Sequence, residues 1–401
     1  MTGNAFYLAA RSLRWYRGRA VTIVACLSLT LWLPLTVRLL LNQFRTDIVS
    51  RAEATPLIIG AKGSRIDLAL HALYFDTVPP ESTTMAEADY VQDTGFASAM
   101  PLHVNYRTQS VNDVEGVPIV GTTVEYFEFR KLYIAEGNGL AMLGDCVLGC
   151  NVAARMQLRP GDRILSAPRN AFNLAGDYPL RMNITGILAP SHSPDDDVVF
   201  IDLKTAWIID GIGHGHQKLA DKTVDDGMLL EKSDDHVTAS AAVLPFTEIT
   251  PENIDSFHFH GRERDYPISA VLAGPYSRRD QTLLLGRYAS SRTETAQCVK
   301  PTDVVQELLN IVFRVERLVW LGSVLSGIVT GLLLTLVLLL SIRLRAAEMQ
   351  TMWKIGCSRY TIVSLIGTEL LLMTICGVAI AMVAAWLSRI VAADWLRSLL
   401  F

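Results

Sequence analysis

Val21 to Leu41 reads VTIVACLSLTLWLPLTVRLLL, a run of membrane length interrupted only by Pro34 and, near its far end, Arg38. A helix needs about 20 mostly apolar residues to cross a bilayer, because an unpaired backbone group in hydrocarbon costs several kcal/mol. Two further runs meet that condition: Leu318 to Ile342, free of charge, and Tyr360 to Leu387, whose only charge is Glu369. The expected fold class is therefore membrane α-helical, with three transmembrane helices at 20–42, 317–342 and 360–388. Residues 43–316, between the first two, are polar enough for a large α+β extracytoplasmic domain on helical stalks.

Basic residues in the short flanks set the orientation. Arg11, Arg14, Arg17 and Arg19 precede the first span; Arg343, Arg345, Lys354 and Arg359 lie between the second and third, against Glu348 alone. Both flanks are expected in the cytoplasm, which puts 43–316 and a C-terminal segment, 389–401, outside. No small-x-small cleavage site precedes Asn42, so the first run reads as an uncleaved anchor. Ahead of it, residues 1–19 form an expected interfacial helix, with Phe6, Leu8, Ala9, Leu13 and Tyr16 near helical spacing and arginines between them.

Half of the 401 residues are hydrophobic and 19% charged, which excludes a disordered chain. The balance of 36 basic against 40 acidic residues, with no basic block, argues against nucleic acid as a partner. Six cysteines are too few for a disulfide scaffold.

Beyond the first span, 43–54 contains no helix breaker and carries the helix outward. On the return side, Pro301-Thr302-Asp303 starts a helix with Val304, Val305, Leu308, Leu309, Val312 and Val315 as its apolar stripe. Between these stalks, β-rich runs alternate with turn signals: Gly116–Val124, Leu180–Leu188, Asp197–Asp202 and Pro267–Leu272. Helices are expected at Asn151–Gln157 and Leu203–Ile209, and the domain is expected to have two lobes.

Gly-x4-Gly-Lys-Ser/Thr, Gly-x-Ser-x-Gly and His-Glu-x-x-His are all missing from the sequence. Gly60-Ala61-Lys62-Gly63-Ser64 lacks the upstream glycine and the spacing of a phosphate-cradling loop. The chain is not expected to be an enzyme. ATP and Mg²⁺ would be bound by a partner.

Five of the eight histidines fall between His214 and His260, as His214-Gly215-His216, His236 and His258-Phe259-His260. In an extended strand, residues i and i+2 share a face, so each doublet can present two imidazoles together. Imidazole suits Zn²⁺, and Asp225, Asp226, Asp234 and Asp235 lie nearby in sequence. The alternative is a polar loop of hydrogen-bonded histidines. Cys146 and Cys150 can bridge to each other or to Cys298, or act as packing thiols; Cys26, Cys357 and Cys376 read as membrane or cytoplasmic thiols.

The segment 343–359 between the second and third spans (RLRAAEMQTMWKIGCSR) is the expected cytoplasmic coupling helix. Met349, Met352, Trp353 and Ile355 form an apolar face that can dock in a partner's groove, and Gly356 stops the helix. Arg345-x-x-Glu348, Met352, Ile355-Gly356, Ile362 and the intramembrane Glu369 resemble the end of the permease of MacB/FtsX/LolC-type ABC transporters. Val147-Leu148-Gly149, followed by a helix and Leu158-Arg159-Pro160-Gly161-Asp162, resembles the same family. The resemblance implies an ABC ATPase dimer at Arg345, Glu348, Met349, Met352, Trp353 and Gly356, and a second permease copy or a related permease. It also implies a periplasmic domain, which a periplasmic or outer-membrane component can engage. Family members carry a fourth span, whereas this sequence stops just after the third.

The expected function is that of a permease subunit in a bacterial inner membrane, transmitting ATP-driven motion to its outer domain without an assigned cargo. Gly327 and Gly331 are candidate helix-packing residues, and His214, His216, His236, His258 and His260 candidate metal ligands. A metal-sensing receptor without an ATPase, and an FtsX-like regulator of a periplasmic hydrolase, are the alternatives.

Overall fold

The computed structural model describes residues 2–75, 81–167, 179–215, 229–233, 236–239, 246–290, 295–344 and 346–400. They divide into two compact units, Met1–Asp47 with Glu307–Leu400, and Ile48–Gln306. Three helices are long and apolar enough to cross a membrane.

The chain opens with α1 (Thr2–Trp15) and α2 (Arg17–Glu53), the second running on past the apolar stretch as its lack of breakers requires. The outer unit then follows in strands and short helices: β1 (Leu57–Ala61), α3 (Arg65–Tyr74), β2 (Thr83–Thr84), α4 (Met85–Asp93), β3 (Ala97–Arg107) and β4 (Pro118–Thr122). Next come α5 (Val124–Arg130), β5 (Ile134–Gly137), β6 (Asp145–Leu148), α6 (Cys150–Met156), β7 (Arg163–Leu165), β8 (Arg181–Leu188), β9 (Val199–Asp202) and α7 (Leu203–Ile209). The unit closes with β10 (Gly213–Gly215), β11 (Leu229–Ser233), β12 (His236–Ala239), β13 (Phe257–Phe259), β14 (Pro267–Ile268), β15 (Ala270–Pro275), α8 (Arg278–Ser290) and β16 (Ala296–Val299). Then come α9 (Pro301–Leu344), α10 (Ala346–Lys354) and α11 (Arg359–Leu400).

One ten-stranded mixed sheet runs β16-β1-β15-β3-β4-β9-β6-β8-β5, with β7 paired to β8; β4–β9 and β6–β8 are parallel. β8 shows why such runs become strands: Met182, Ile184 and Leu188 alternate into the core while Arg181 points out. Among the described residues, two hydrophobic clusters pack on this single sheet. One gathers Cys146, Val152, Met156, Ile184 and Ile201, and the other Leu57, Trp207, Ile268, Val271 and Leu284. The run expected at Pro267–Leu272 divides at Ser269 into β14 and β15. There the Ser269 hydroxyl accepts from the Val104 N–H at 3.0 Å, so a side chain joins the ladder between the two strands.

In the membrane unit, one stripe of α11 is buried at four-residue spacing: Glu369, Met373, Gly377, Ala381 and Ala385. A Cβ on Gly377 would lie 2.7 Å from the Leu27 side chain, so glycine is what lets α2 and α11 approach. The Trp32 indole N–H donates to Ser388 at 3.0 Å, and Arg389 to Gln43 at 2.8 Å. By contrast α9 presents Leu318, Leu325, Leu332, Leu336 and Leu340 outward.

Candidate functional site

The approach to the histidines begins at α7. Asp202 caps its first turn by accepting from the Lys204 N–H at 2.8 Å, and Gly211, at φ +78°, turns the chain into β10. β10 pairs antiparallel with β13 in the register Gly213↔Phe259, His214↔His258 and Gly215↔Phe257.

This register sorts the ribbon into two faces. Phe257 and Phe259 pack against the core, and opposite them stand glycines, where a Cβ would come within 2.7 Å of each ring. The intervening residues turn the other way. His214, His258 and His260 therefore share the outer face, with ring centroids 4.7–4.9 Å apart. One ring nitrogen from each lies within 4.8 Å of the other two. His214 is half-buried and His260 exposed. The doublet 258/260 thus behaves as its spacing predicted, and the β10 register adds His214 to it. His216, Asp225, Asp226, Asp234 and Asp235 lie outside the described residues, and His236 starts β12, where only its backbone is described.

A second polar cluster escaped the sequence reading. Arg51, on the last turn of α2, forms a two-pronged ion pair with Asp195, its second prong at 2.9 Å. The Tyr126 hydroxyl donates to the same carboxylate at 2.6 Å, and Ser193 donates at 2.7 Å. Arg51 also donates to the Leu73 carbonyl at 3.3 Å. Arg51 is 8% exposed and Asp195 fully buried. Burial works against the Asp195 charge, but the Arg51 guanidinium and the donated hydrogen bonds prevail and hold its carboxyl down at about 2. Burial, followed by the Asp195 charge, raises the Tyr126 phenol. Ile48 and Ala52 beside Arg51 are buried as well, so the end of α2 belongs to the outer unit.

All six cysteines are free, so of the two readings of Cys146, Cys150 and Cys298 the structure has the packing thiols. Burial pushes the Cys298 thiol up to about 12; burial and then the Asp196 charge push Cys150 up to about 11. Neither is a poised thiolate.

α10 is the short helix expected between two long ones. Its end follows from Gly356, at φ +96°, whose N–H donates to the Trp353 carbonyl while the Cys357 N–H reaches that of Met352. Met349 and Met352 are half-buried, and Trp353 and Ile355 are 58% and 78% exposed. Arg345 lies outside the described residues, and for Glu348 only the backbone is described. Glu369 is 3% exposed on the buried stripe of α11. At Gly327 and Gly331 an added Cβ would meet nothing within 4 Å, so neither is a close-approach point among the described residues.

The profile of the MacB-like periplasmic core domain matches residues 36–243, just over half the chain. The chain belongs to the MacB-like permease family. Membership makes this permease a subunit of an ABC transporter with an ATPase partner, and together with its apolar helices it indicates an inner-membrane protein with a periplasmic domain. The match takes in Arg51, Tyr126, Asp195 and His214 but ends before His258 and His260. The periplasmic region of MacB from Actinobacillus actinomycetemcomitans is 10% identical, with a TM-score of 0.36, over 66% of this chain and 98% of that one. The extracellular domain of the noncanonic ABC-type transporter YknZ from Gram-positive bacteria is 11% identical, with a TM-score of 0.33, over 61% and 98%. No curated protein sequence matches the permease.

Proposed function

We propose that this permease transmits mechanical work. A separate ATPase dimer docks on α10 and moves it, and the adjoining helices carry the motion to the periplasmic unit. Residues 48–306 are periplasmic in this reading, and α1 and α10 face the cytoplasm. Cargo need not cross the bilayer, because the outer unit can push or release it on the periplasmic side.

The observation that carries this reading is α10 itself, a nine-residue helix between two membrane-length helices, with Trp353 exposed and Ile355, just past its end, exposed as well. Four basic residues flank the segment, Arg343, Arg345, Lys354 and Arg359, which favours the cytoplasmic side. An exposed apolar face on a short helix suits the groove of a soluble partner. Two arms test the proposal. Trp353→Asp should release the co-purifying ATPase, since it puts a charge into an apolar contact at a cost of a few kcal/mol. Retention of the ATPase by Trp353→Asp and Met352→Glu together would place the contact elsewhere. Reporter fusions after residue 200 should read periplasmic and those at residue 350 cytoplasmic; the reverse would overturn the orientation.

A further inference from the structure

We infer that His214, His258 and His260 form a binding site for a divalent transition metal of the Zn²⁺ class. This inference is independent of the mechanical role above. It rests on how the ribbon is built.

β13 alternates Phe257, His258, Phe259, with His260 next, and β10 sets glycine opposite each phenylalanine. The aromatic face is held against the core, so the opposite face cannot turn over without exposing two rings. Three imidazoles are thereby fixed on one side by elements that have another reason to stay in place. Their spacing fits a shared ion. Tetrahedral Zn²⁺ with Zn–N of about 2.0–2.1 Å sets its ligand nitrogens about 3.3 Å apart. The three nitrogens already lie within 4.8 Å of one another, so small side-chain rotations close the gap.

The donor set also selects the ion. Three imidazole nitrogens and no carboxylate suit Zn²⁺, Co²⁺, Ni²⁺ or Cu²⁺ and not Mg²⁺ or Ca²⁺, which take oxygen ligands. With three ligands from the protein, at least one coordination position is left for water. A bound ion would join β10 to β13 across the His214–His258 pair, fastening two strands distant in sequence. The competing account is that the imidazoles stack and hydrogen-bond only; the His258 ring nitrogen already lies 3.2 Å from the Ser256 carbonyl.

The test uses the full-length permease in detergent, with its affinity tag removed and treated with chelator. Zn²⁺ titrated against a chromophoric competitor at neutral pH should bind at one equivalent with micromolar or tighter affinity. His214→Ala and His258→Ala should each weaken binding by at least about 100-fold, beyond the 10–100-fold that outer-shell partners command. His192→Ala, on an exposed loop, should bind as wild type. Co²⁺ should give an intense visible absorption, lost in His258→Ala, and Mg²⁺ should not compete. Metal-free melting of each variant checks that the fold survives, and His214→Gln replaces His214→Ala if it does not. Absence of saturable Zn²⁺ binding by the wild type would overturn the site. So would wild-type affinity in both His214 and His258 variants, since the ion would then sit elsewhere.

Discussion

Two of the polar clusters among the described residues of the outer unit are built on opposite terms. Around Asp195 the charges are opposite and shut away from water, and the carboxylate accepts from Arg51, Tyr126 and Ser193. Around His214 the groups are alike and reach the surface, with nitrogen lone pairs but no carboxylate among the three. The Asp195 carboxylate in the first cluster is satisfied by groups of the chain itself, with the buried Arg130 guanidinium beside it over the Tyr126 ring. The second, under the inference above, would take up an added cation from outside the chain. The first arrangement serves the architecture of the unit, and the second, under the inference above, a ligand, although both are small sets of titratable side chains.

The largest effect should come from opening the closed cluster. Asp195→Asn leaves Arg51 buried without its counter-charge, and removing one partner of such a pair costs about 3–5 kcal/mol. In a scanning melt this should appear as a fall in Tm of about 10 °C. A change below about 1 kcal/mol would mean the pair behaves like a surface one and the contrast fails.

Acid should act on the same cluster more gently. The folded carboxyl sits at about 2, below the ordinary aspartate value near 3.9, so its contribution is complete above about pH 4. It is lost as pH falls through about 2. The loss should reach about 2 kcal/mol, seen in denaturant melts of wild type against Asp195→Asn. Equal acid sensitivity of the two proteins would assign the effect to other groups.

The open cluster should be the least sensitive. Without metal, His214→Ala should alter stability by no more than about 0.5 kcal/mol, since it removes a half-buried imidazole from the face of the ribbon turned away from the core. A large metal-free loss would show that the imidazoles support each other, and the distinction between the clusters would narrow.

The two clusters also differed in how far the sequence disclosed them. The periodicity of His258-x-His260 is local, so one shared face could be read directly; the pairing of His214 with His258 joins distant strands and could not. Arg51 and Asp195 were missed for the same reason, made worse by context. Arg51 reads as a polar end to an apolar helix, and Asp195 stands in Pro194-Asp195-Asp196-Asp197, which looks like a solvated run. Elements with their own periodicity were legible: α7 falls on Leu203–Ile209 as expected, and β8 begins one residue inside its expected run. Within the described residues of one chain the close approach is at Gly377, followed by Ala381 and Ala385 on α11; packing of Gly327 and Gly331 on α9 against a second permease copy is a separate contact. Small residues permit contact, and only the neighbouring helix decides whether it occurs.

The strict alternation of β13 has a consequence for how this segment can diverge. Shifting a strand by one residue exchanges its faces, so a single insertion between the turn and Phe257 would bring both phenylalanines to the surface and turn the imidazoles inward. Length at this point is therefore constrained far more tightly than outward composition. Positions 214, 258 and 260 can exchange histidine for other polar residues while the glycine-and-phenylalanine side keeps the strands seated. Related chains should then differ in what this face carries and agree in how many residues separate Phe257 from the turn at Ile254–Ser256 that precedes it.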